Sequence, residues 1–276
     1  MPLSLTIRRL LSTQPVELPV FHPIAVRLQQ LLNTSEFTIE DVVNLADEDQ
    51  ALSGQILKLA NSTVFMGRVR VETIKEAVIR LGALQVSNLA MAASQAALHV
   101  AENSVINDCI QELWLHSHAC AVGCRWMAKA TCNAHLADQV YMAGLLHDVG
   151  KLYLLKALER LNKAGVAQAA LDRELLLEIF SELHVEQGCR IMQHWNMPQT
   201  YINAVAFHHA DTYDTSDAVV TIVRLVNTVC KKVGISPMPD SSIDVMALPE
   251  ASLLGVTQDD LADLETVLED SQDISL

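Results

Sequence analysis

The sequence predicts an all-α protein with two helical lobes, and composition, periodicity and capping residues support this fold class. Half of the 276 residues are hydrophobic, only 4% are aromatic, and Ala, Leu and Val dominate the apolar set. This composition favours helices over sandwiches and barrels, which are rich in β-branched and aromatic residues. A chain of this length can bury a sizeable core, as one large domain or two small ones.

Prolines and polar breaks divide the chain into predicted segments. Pro15, Pro19 and Pro23 indicate an extended lead-in, because proline disfavours helix in the residue before it. Helical periodicity then continues, with short breaks, to about residue 235, and a polar break near 102–108 separates two lobes. The predicted segments are a lead-in at 1–14, a helical domain at 15–233 with lobes at 15–105 and 106–233, and an acidic C-terminal extension at 234–276.

Capping residues predict three helix starts in the N-terminal lobe. Thr38 followed by Asp41 resembles a capping box, and Thr73 repeats it with the glutamate three residues later. Asp49 is placed to cap a helix between these two. Each cap precedes apolar residues at the i, i+3, i+4, i+7 spacing of one buried helix face. Gly82 is predicted to end the last of these helices.

Periodicity predicts five helices in the C-terminal lobe and one more in the extension. The five lie at roughly 109–130, 138–160, 172–195, 199–209 and 217–233. The extension from residue 236 holds ten of the 33 acidic residues and no Lys or Arg. Its helix candidate, 259–269, carries Leu261, Leu264 and Leu268, which can dock on the body or on a partner. We expect this helix to be a solvated appendage.

Charge and cysteine content exclude several classes of function. Outside the extension, 23 acidic residues face 19 basic ones, and the only basic clusters are the pairs Arg8-Arg9 and Lys231-Lys232. Direct nucleic-acid binding is therefore not expected. The six cysteines lack CxxC spacing and are predicted to be free thiols in a reducing compartment. Without a signal-peptide core or a membrane-length apolar run, we expect a cytoplasmic protein with no membrane partner.

One local sequence carries most of the functional information, the run GLLHDVGK at 144–151. An imidazole beside a carboxylate at the end of an apolar helix can supply two ligands to a divalent metal. Neighbouring residues on one helix point about 100° apart, so other helices must complete such a site. Polar side chains on otherwise apolar helical stripes are the candidates. They are His116, His184, His208, His209 and Asn227.

The chain resembles the HDOD (HD-related output domain) family over roughly residues 15–233. In the N-terminal lobe the resemblance rests on Asp49, Ala51-Leu52, Ile56 to Ser62, Ile74, Ala77 and Leu81-Gly82. In the C-terminal lobe it rests on Trp114, His116, the 144–150 run, Glu178, His184, Trp195 to Pro198 and His208-His209. The order of these motifs is specific, whereas a His-Asp pair alone is not. The resemblance implies an HD-like helical bundle as the C-terminal lobe and an output or scaffolding role in bacterial signalling.

The parent HD superfamily, which comprises metal-dependent phosphohydrolases, is similar as well and implies a set of metal ligands. Its ligand positions fall at His116, His147 and Asp148, and a later ligating aspartate falls at Asn227. An Asn carbonyl is neutral and binds metal more weakly than a carboxylate does, so Mn, Fe or Mg would be held less firmly. The related HD-GYP cyclic-di-GMP phosphodiesterases imply His184, His208 and His209 as further ligands of a two-metal site.

Two features bear on catalysis. The Gly-Tyr-Pro segment that the HD-GYP group carries after its histidine pair is replaced by Ala210 to Asp214, which argues against cyclic-di-GMP hydrolysis. Lys151 falls where that group carries a lysine near phosphate. A phosphate contact and a solvated lysine at a helix end both remain open, and we expect the solvated one. Asp148 and Lys151 are the candidates for any catalytic role.

Two functions remain open on the sequence. The first is a non-catalytic output module that acts on a signalling partner, with pairing of two copies of the chain left open. The second is a metal-dependent phosphohydrolase acting on a nucleotide or another phosphoester, which the near-complete histidine set favours. Asn227 favours the first. The polar cluster itself either holds a divalent metal, namely Fe, Mn, Mg or, in purified protein, Ni or Zn, or is a vestigial hydrogen-bonded core.

Overall fold

The regular secondary structure of the described residues is helical. The computed structural model describes residues 22–34, 36–62, 64–65, 67–97, 101–164 and 172–273, and this part of the chain contains no strand. The predicted all-α fold class is confirmed. Two compact units are present: an N-terminal unit of residues 19–98 with 195–198, and a C-terminal unit that includes 99–194 and 199–276. The predicted lead-in at 1–14 lies outside the described residues.

The N-terminal unit is built around one alanine-rich helix. Its helices are α1 (Pro23–Leu32), α2 (Ile39–Asp47), α3 (Gln50–Ala60), α4 (Ile74–Leu81) and α5 (Ala83–Ala97). Helix α5 packs against α1, α3 and α4, and the buried Ala90, Ala92 and Ala93 let these neighbours approach closely. The buried Gln29 amide of α1 donates to Asn88 Oδ1 of α5 at 3.1 Å, so this polar pair is satisfied inside the core.

The first two predicted helix starts are confirmed. The Thr38 hydroxyl accepts a hydrogen bond from the Asp41 amide at 3.2 Å, and the Asp41 carboxylate accepts one from the Thr38 amide at 2.8 Å. Asp49 caps α3 by accepting from the amide three residues later at 2.9 Å. These bonds satisfy amides that have no partner in the first turn of a helix, which fixes where α2 and α3 begin.

The third start is confirmed, although its capping box is incomplete. Thr73 caps α4, and the helix ends at Gly82 as predicted. The Glu76 carboxylate accepts from the amide of Glu72 at 2.7 Å, one residue before the cap, instead of from Thr73. The reciprocal half of the predicted box is therefore missing, and the glutamate instead satisfies the amide that precedes the cap.

The described part of the C-terminal unit contains eight helices around a long central one. They are α6 (Ser104–Ala130), α7 (Ala137–Leu146), α8 (Val149–Lys163), α9 (Arg173–His194), α10 (Gln199–Phe207), α11 (Ala218–Lys232), α12 (Pro249–Leu254) and α13 (Gln258–Asp270). The 27-residue α6 packs against α7, α8, α11 and α13, and residues 116–124 are buried on every side of it. None of the described helices has the length and apolarity needed to cross a membrane.

Helix α6 begins earlier than its apolar pattern indicates. The sequence predicts a polar break over 102–108, but Asn103 caps the helix and accepts from the Ile106 amide at 3.1 Å. The first turn of α6, Ser104 to Asn107, therefore lies inside the predicted break and mixes polar and apolar residues. Periodicity did not reveal this turn because periodicity reports only the buried face.

The C-terminal extension is not the solvated appendage that the sequence led us to expect. Leu264 and Leu268 of α13 are fully buried, and α13 packs against α6. Gly123 of α6 makes the space: a Cβ atom there would lie 2.7 Å from Leu268 and 2.8 Å from Val226 of α11. The acidic helix is thus part of the C-terminal unit and covers its central helix.

Candidate metal centre

His147 and Asp148 lie at a break between two helices. His147 follows the last residue of α7, and Asp148 precedes α8 with φ −104° and ψ 15°, outside the helical range. On a continuous helix these side chains would point about 100° apart. The break instead brings His147 Nε2 within 3.3 Å of Asp148 Oδ2. The prediction of one helix over 138–160 is wrong here, because both flanking turns are apolar and their pattern hides a two-residue break.

Two glycines bring the neighbouring helix close enough to complete the site. A Cβ atom on Gly150 would lie 1.8 Å from the carbonyl oxygen of His184, and one on Gly188 would lie 2.7 Å from a valine side chain of α10. A larger side chain at Gly150 would push α8 and α9 apart, and one at Gly188 would push α10 away from α9. Helix α9 therefore places His184 beside Asp148. Helix α10 packs on α9 and places His208 just beyond its own last turn.

Backbone carbonyls hold four buried histidines in one orientation. The Nδ1 atoms of His116, His147, His184 and His208 lie 2.7, 2.7, 2.5 and 2.8 Å from the carbonyl oxygens of Ile235, Gly144, Phe180 and Val205. A carbonyl oxygen only accepts, so each Nδ1 must carry the hydrogen, and a neutral ring then presents Nε2 as a bare lone pair. Metal-binding histidines are usually held in this way.

The four Nε2 atoms converge on the two oxygens of Asp148. His116 and His147 each lie 3.3 Å from Oδ2, while His184 and His208 lie 3.7 and 3.4 Å from Oδ1. Within each pair the Nε2 atoms are 3.2 Å apart. Two bare lone pairs that face each other at this distance need a proton or a metal ion between them.

The cluster consists of two groups of ligand atoms that share Asp148. In each group these atoms all lie within 4.8 Å of one another. We call His116, His147 and Asp148 the inner half of the centre. We call Asp148, His184, His208 and His209 the outer half. The structure thus brings all six predicted metal ligands together.

The outer half reaches solvent through one residue, and its three imidazoles are neutral. His209 is exposed, and its ring centre lies 4.1 Å from that of His208 and 5.3 Å from that of His184. Burial lowers the pKa of His184 to about 3 and also lowers the pKa values of His208 and His209. These rings are therefore unprotonated near neutral pH, as metal ligation requires.

Lys151 is buried, and the expectation of a solvated lysine is wrong. Its Nζ lies 2.6 Å from Asp148 Oδ2. Burial alone would raise the pKa of the Asp148 carboxyl, but the charges of Lys151 and His147 hold it well below its usual range. Burial alone would lower the pKa of His147, yet Asp148 and Cys120 raise it to about 10. The Lys151 ammonium thus already occupies Asp148 Oδ2, whereas Asp148 Oδ1 accepts no hydrogen bond from the described residues.

Asn227, the position where the superfamily carries an aspartate, lies on α11 and is buried. Within the described residues its Oδ1 atom has no hydrogen-bond partner. Leaving a buried amide oxygen unpaired costs about 1–3 kcal/mol, so an ion or an ordered water is the expected partner. The facing Nε2 atoms of the histidines and the unpaired Asp148 Oδ1 fit a bound cation.

Three buried cysteines lie behind His147. The sulfur atoms of Cys120 and Cys124 on α6 are 4.0 Å apart. The thiol of Cys230 on α11 is a hydrogen-bonding neighbour of the Cys120 thiol. These two neighbours and His147 lower the pKa of the Cys120 thiol. All six cysteines are free thiols, and none belongs to either ligand group among the described residues. The cluster lies where α6 packs against α11.

Lys231 is the residue near the centre that the sequence did not single out. It lies on α11, four residues after Asn227, and is half-buried. Burial and the charge of Lys151 lower its pKa, while Asp148 opposes this shift. The i+4 spacing from Asn227 was the available signal, because residues four apart share one helix face.

A family model supports the resemblance inferred from the motifs. The HDOD domain model matches residues 18–211. The chain belongs to the HDOD family. An uncharacterized protein of Treponema pallidum (strain Nichols) is 31% identical over 197 residues, which make up 70% of this chain and 38% of that relative. This HDOD chain therefore spans well under half the length of that curated protein.

Solved structures share the fold of this HDOD chain. An HDOD domain protein with unknown function from Geobacter sulfurreducens has a TM-score of 0.73 at 21% identity, over 98% of this chain and 95% of that one. A Shewanella amazonensis SB2B protein named "putative metal-dependent phosphohydrolase" gives 0.74 at 18%, over 98% of both chains. A Marinobacter aquaeolei VT8 protein named "putative signal transduction protein" gives 0.67 at 19%, over 98% and 64%. At these identities the likeness shows the fold alone.

Proposed function

We propose that this HDOD protein is a bacterial signal-transduction module that binds one divalent metal ion in its C-terminal unit and acts by binding a partner, not by catalysis. The arrangement of the four buried histidines carries the metal part of the proposal. Each ring is fixed through Nδ1 by a carbonyl and presents Nε2 to Asp148, which amounts to a preorganised ligand set. Membership in the HDOD family supports the signalling part.

The outer half is the better place for the ion. Asp148 Oδ1 accepts no hydrogen bond from the described residues, whereas Oδ2 already binds the Lys151 ammonium at 2.6 Å. An ion in the inner half would compete with that ammonium for the same oxygen. Three imidazoles and one carboxylate favour Fe, Ni or Zn over Mg, which prefers all-oxygen sites.

The chemistry of the surrounding residues favours binding over turnover. A divalent ion in this position would polarise a phosphate oxygen and lower the pKa of a bound water. Asp148, the one carboxylate in either ligand group of the described residues, is already paired with Lys151 and does not serve as a general base. Asn227 contributes a neutral oxygen where a second carboxylate would be needed. Among the described residues, the two ligand groups therefore supply metal ligands but no carboxylate that is free to act as a general base.

Elemental analysis tests the metal. Full-length protein prepared without chelators or a metal-affinity tag is expected to contain about one ion per chain. His184→Ala should weaken metal binding by more than the roughly 10- to 100-fold lost when a residue that only hydrogen-bonds to a ligand is changed, because it removes a direct ligand. His194→Ala, at the exposed end of the same helix α9, is the control and should retain the ion. Metal-free wild type, or full retention by His184→Ala, would refute the proposed centre.

A metal-dependent phosphohydrolase is the second candidate, and the complete inner half favours it. His116 and His147 face each other at 3.2 Å and would hold a second ion if Lys151 moved away. The metal-containing protein should be assayed on nucleotides and simple phosphoesters, where the proposed module shows no turnover. Robust hydrolysis that is lost in His147→Ala, with the helical content unchanged, would establish the enzyme and overturn the non-catalytic proposal.

We further propose a cytoplasmic location and a signalling protein as partner. The six free thiols suit a reducing compartment. Because the chain has no extended Lys/Arg cluster, nucleic acid is not among the proposed partners. Cross-linking in the native bacterium, followed by mass spectrometry, is expected to recover a component of a signalling pathway. Recovery of a nucleic acid-bound complex instead would contradict this part of the proposal.

A further inference from the structure

We propose that Arg224 and Glu250 position the His208-His209 pair for metal binding. The inference rests on the proposed metal-binding function and adds two positioning residues that lie outside both ligand groups. Arg224 lies on α11, and Glu250 lies on α12 in the C-terminal extension. Neither belongs to the residues 18–211 that the HDOD model matches.

The Arg224 guanidinium holds the backbone on both sides of the two histidines. Its Nη1 atom donates to the carbonyl oxygen of Phe207 at 2.7 Å, immediately before the pair. The same atom donates to the carbonyl oxygen of Ala210 at 2.8 Å, immediately after the pair. Phe207 is the last residue of α10, where carbonyl groups have no partner within the helix. Arg224 therefore satisfies the end of α10 and closes the turn that carries both histidines.

The orientation of His209 depends on this turn. The Nδ1 atom of His208 lies 2.8 Å from the Val205 carbonyl oxygen, so that ring has a backbone partner of its own. The His209 ring makes no hydrogen bond with the described residues, and its ring contacts are with His184 and His208. The backbone of the turn therefore largely determines where the His209 ring lies. A ligand that is held in place before the ion arrives binds it more tightly than one that must be ordered.

Two further contacts fix the guanidinium itself. Its Nε atom donates to Glu250 Oε1 at 2.6 Å, and its central carbon lies 4.4 Å from the centre of the Tyr213 ring. Glu250 is buried, so solvent screens this ion pair less than it screens a surface pair. Tyr213 belongs to the segment that replaces Gly-Tyr-Pro. A lysine could not replace Arg224, because one ammonium lacks the planar fork that serves two carbonyls, a carboxylate and an aromatic ring together.

A positioning role and a charge effect predict opposite results for Arg224→Met. The substitution removes a positive charge, which by itself would favour the binding of a cation. It also removes both bonds to the turn, so the two histidines would have to be ordered when the ion binds. Weaker metal binding by Arg224→Met is therefore the result that positioning predicts and that the loss of charge does not.

Zinc binding by the full-length protein tests the inference. After metal removal, competition with a chelator of known affinity measures the affinity for Zn²⁺. Arg224→Met should bind Zn²⁺ about 10- to 100-fold more weakly than the wild type, the range typical of residues that orient metal ligands. Lys232→Met is the matched control, because Lys232 lies on the same helix and pairs with Glu265 of the extension at 2.7 Å. This control should keep the wild-type affinity.

Glu250→Gln tests whether Glu250 acts through the arginine, and it keeps the size of the side chain. It should weaken Zn²⁺ binding in the wild-type background and have no further effect in Arg224→Met, because coupled residues are not additive. Equal losses in both backgrounds, or none in the wild-type background, would overturn the role of Glu250. If Arg224→Met does not fold, Glu250→Gln alone decides the inference by the same affinity measurement and by the spectrum described next.

Bound Co²⁺ gives a readout that a loss of stability alone would not change. Its visible absorption depends on the number and arrangement of its ligands, so Arg224→Met saturated with Co²⁺ should differ from the wild type, and saturated Lys232→Met should not. Wild-type or tighter binding by Arg224→Met, an unchanged spectrum, or an equal loss in Lys232→Met overturns the positioning role and leaves the metal centre standing. Wild type that binds no metal overturns the centre, and this inference falls with it.

Discussion

Asp148 connects the two halves of the candidate centre, and its two oxygens lie in different surroundings. Oδ2 receives Lys151 together with His116 and His147, whereas Oδ1 faces His184 and His208 and accepts no hydrogen bond from the described residues. A buried carboxylate with one paired and one unpaired oxygen is incompletely satisfied. The outer half is therefore where an ion gains most from binding.

Removing the Lys151 ammonium should make the inner half available to a metal ion. In Lys151→Met the Oδ2 atom is freed, and we expect the metal content to rise from about one ion per chain toward two. Without metal this variant should be destabilised by about 3–5 kcal/mol, because a buried carboxylate loses its partner. Elemental analysis and thermal unfolding with and without metal measure both effects. Lys163→Met, at the exposed end of the same helix, is the control for metal content and should keep about one ion per chain. An unchanged metal content in Lys151→Met would contradict the competition between Lys151 and an ion.

At the scale of elements, the site depends on how closely two helices approach. Helices α8 and α9 meet at Gly150, where the His184 carbonyl occupies the space of a side chain. The break between α7 and α8 turns His147 and Asp148 toward the same point. Both features are backbone properties, so a substitution that leaves every ligand in place can still disrupt the centre.

Gly150→Ala tests this dependence. The added methyl group would lie 1.8 Å from a backbone oxygen, so the helices must separate, at a cost of about 1–3 kcal/mol or more. We expect a lower unfolding temperature and weaker metal binding although no ligand is changed. Gly54→Ala is the control, because that glycine lies in α3 with open space around it and should be neutral or stabilising by about 0.5–1 kcal/mol. Wild-type metal affinity in Gly150→Ala would show that the close approach is not required.

Glu159 of α8 holds the residue before the start of α6 by a hydrogen bond, and its ionisation contributes to the stability of the protein against acid. Glu159 accepts from the Glu102 amide at 3.1 Å and lies 3.5 Å from the ammonium groups of Lys156 and Lys163. Burial alone would raise the pKa of Glu159, but these three contacts hold it below its usual range. The pKa of Glu159 is therefore lower in the folded chain than in the unfolded chain. Its stabilisation is fully present above the unfolded-state pKa near 4.5 and is lost as the pH falls through the folded-state pKa.

Glu159→Gln should therefore be less stable than the wild type by about 1 kcal/mol at pH 7, and the difference should shrink as the pH falls below 4.5. Denaturant unfolding of metal-free protein between pH 7 and 3 measures it. Glu186→Gln, an exposed position on α9, should leave the wild-type pH profile unchanged. A stability difference that stays constant over this range would rule out ionisation of Glu159 as its cause.

At the scale of the whole molecule, the acidic extension is integrated into the C-terminal unit. Helix α13 covers α6 through buried leucines, and Gly123 provides the gap that receives them. The same central helix carries His116 and the cysteines behind His147. Changes in the packing of α13 therefore act on the helix that supports the inner half.

Leu264→Ala is expected to destabilise the protein by about 2–5 kcal/mol, since the side chain is fully buried and its loss leaves a cavity. Leu253→Ala on α12 is the matched control, because 51% of that leucine is exposed, and its effect should stay within about 0.5 kcal/mol. Chemical denaturation of both variants gives the comparison. Equal stabilities would mean that α13 does not pack on α6 in solution.

The sequence by itself determined the all-α class, the helix starts at Thr38, Asp49 and Thr73, the candidate ligands and the family. These depend on local order, since a cap bonds to an amide within one turn and an apolar stripe repeats every 3.6 residues. Only the tertiary structure decided that the chain breaks at His147, that Lys151 is buried and that α13 docks on α6. Lys231 beside the centre belongs to the same group. Each of these depends on burial by residues far away along the chain, even where the charge partner is near, as Asp148 is to Lys151. Such burial leaves no periodic trace in the sequence.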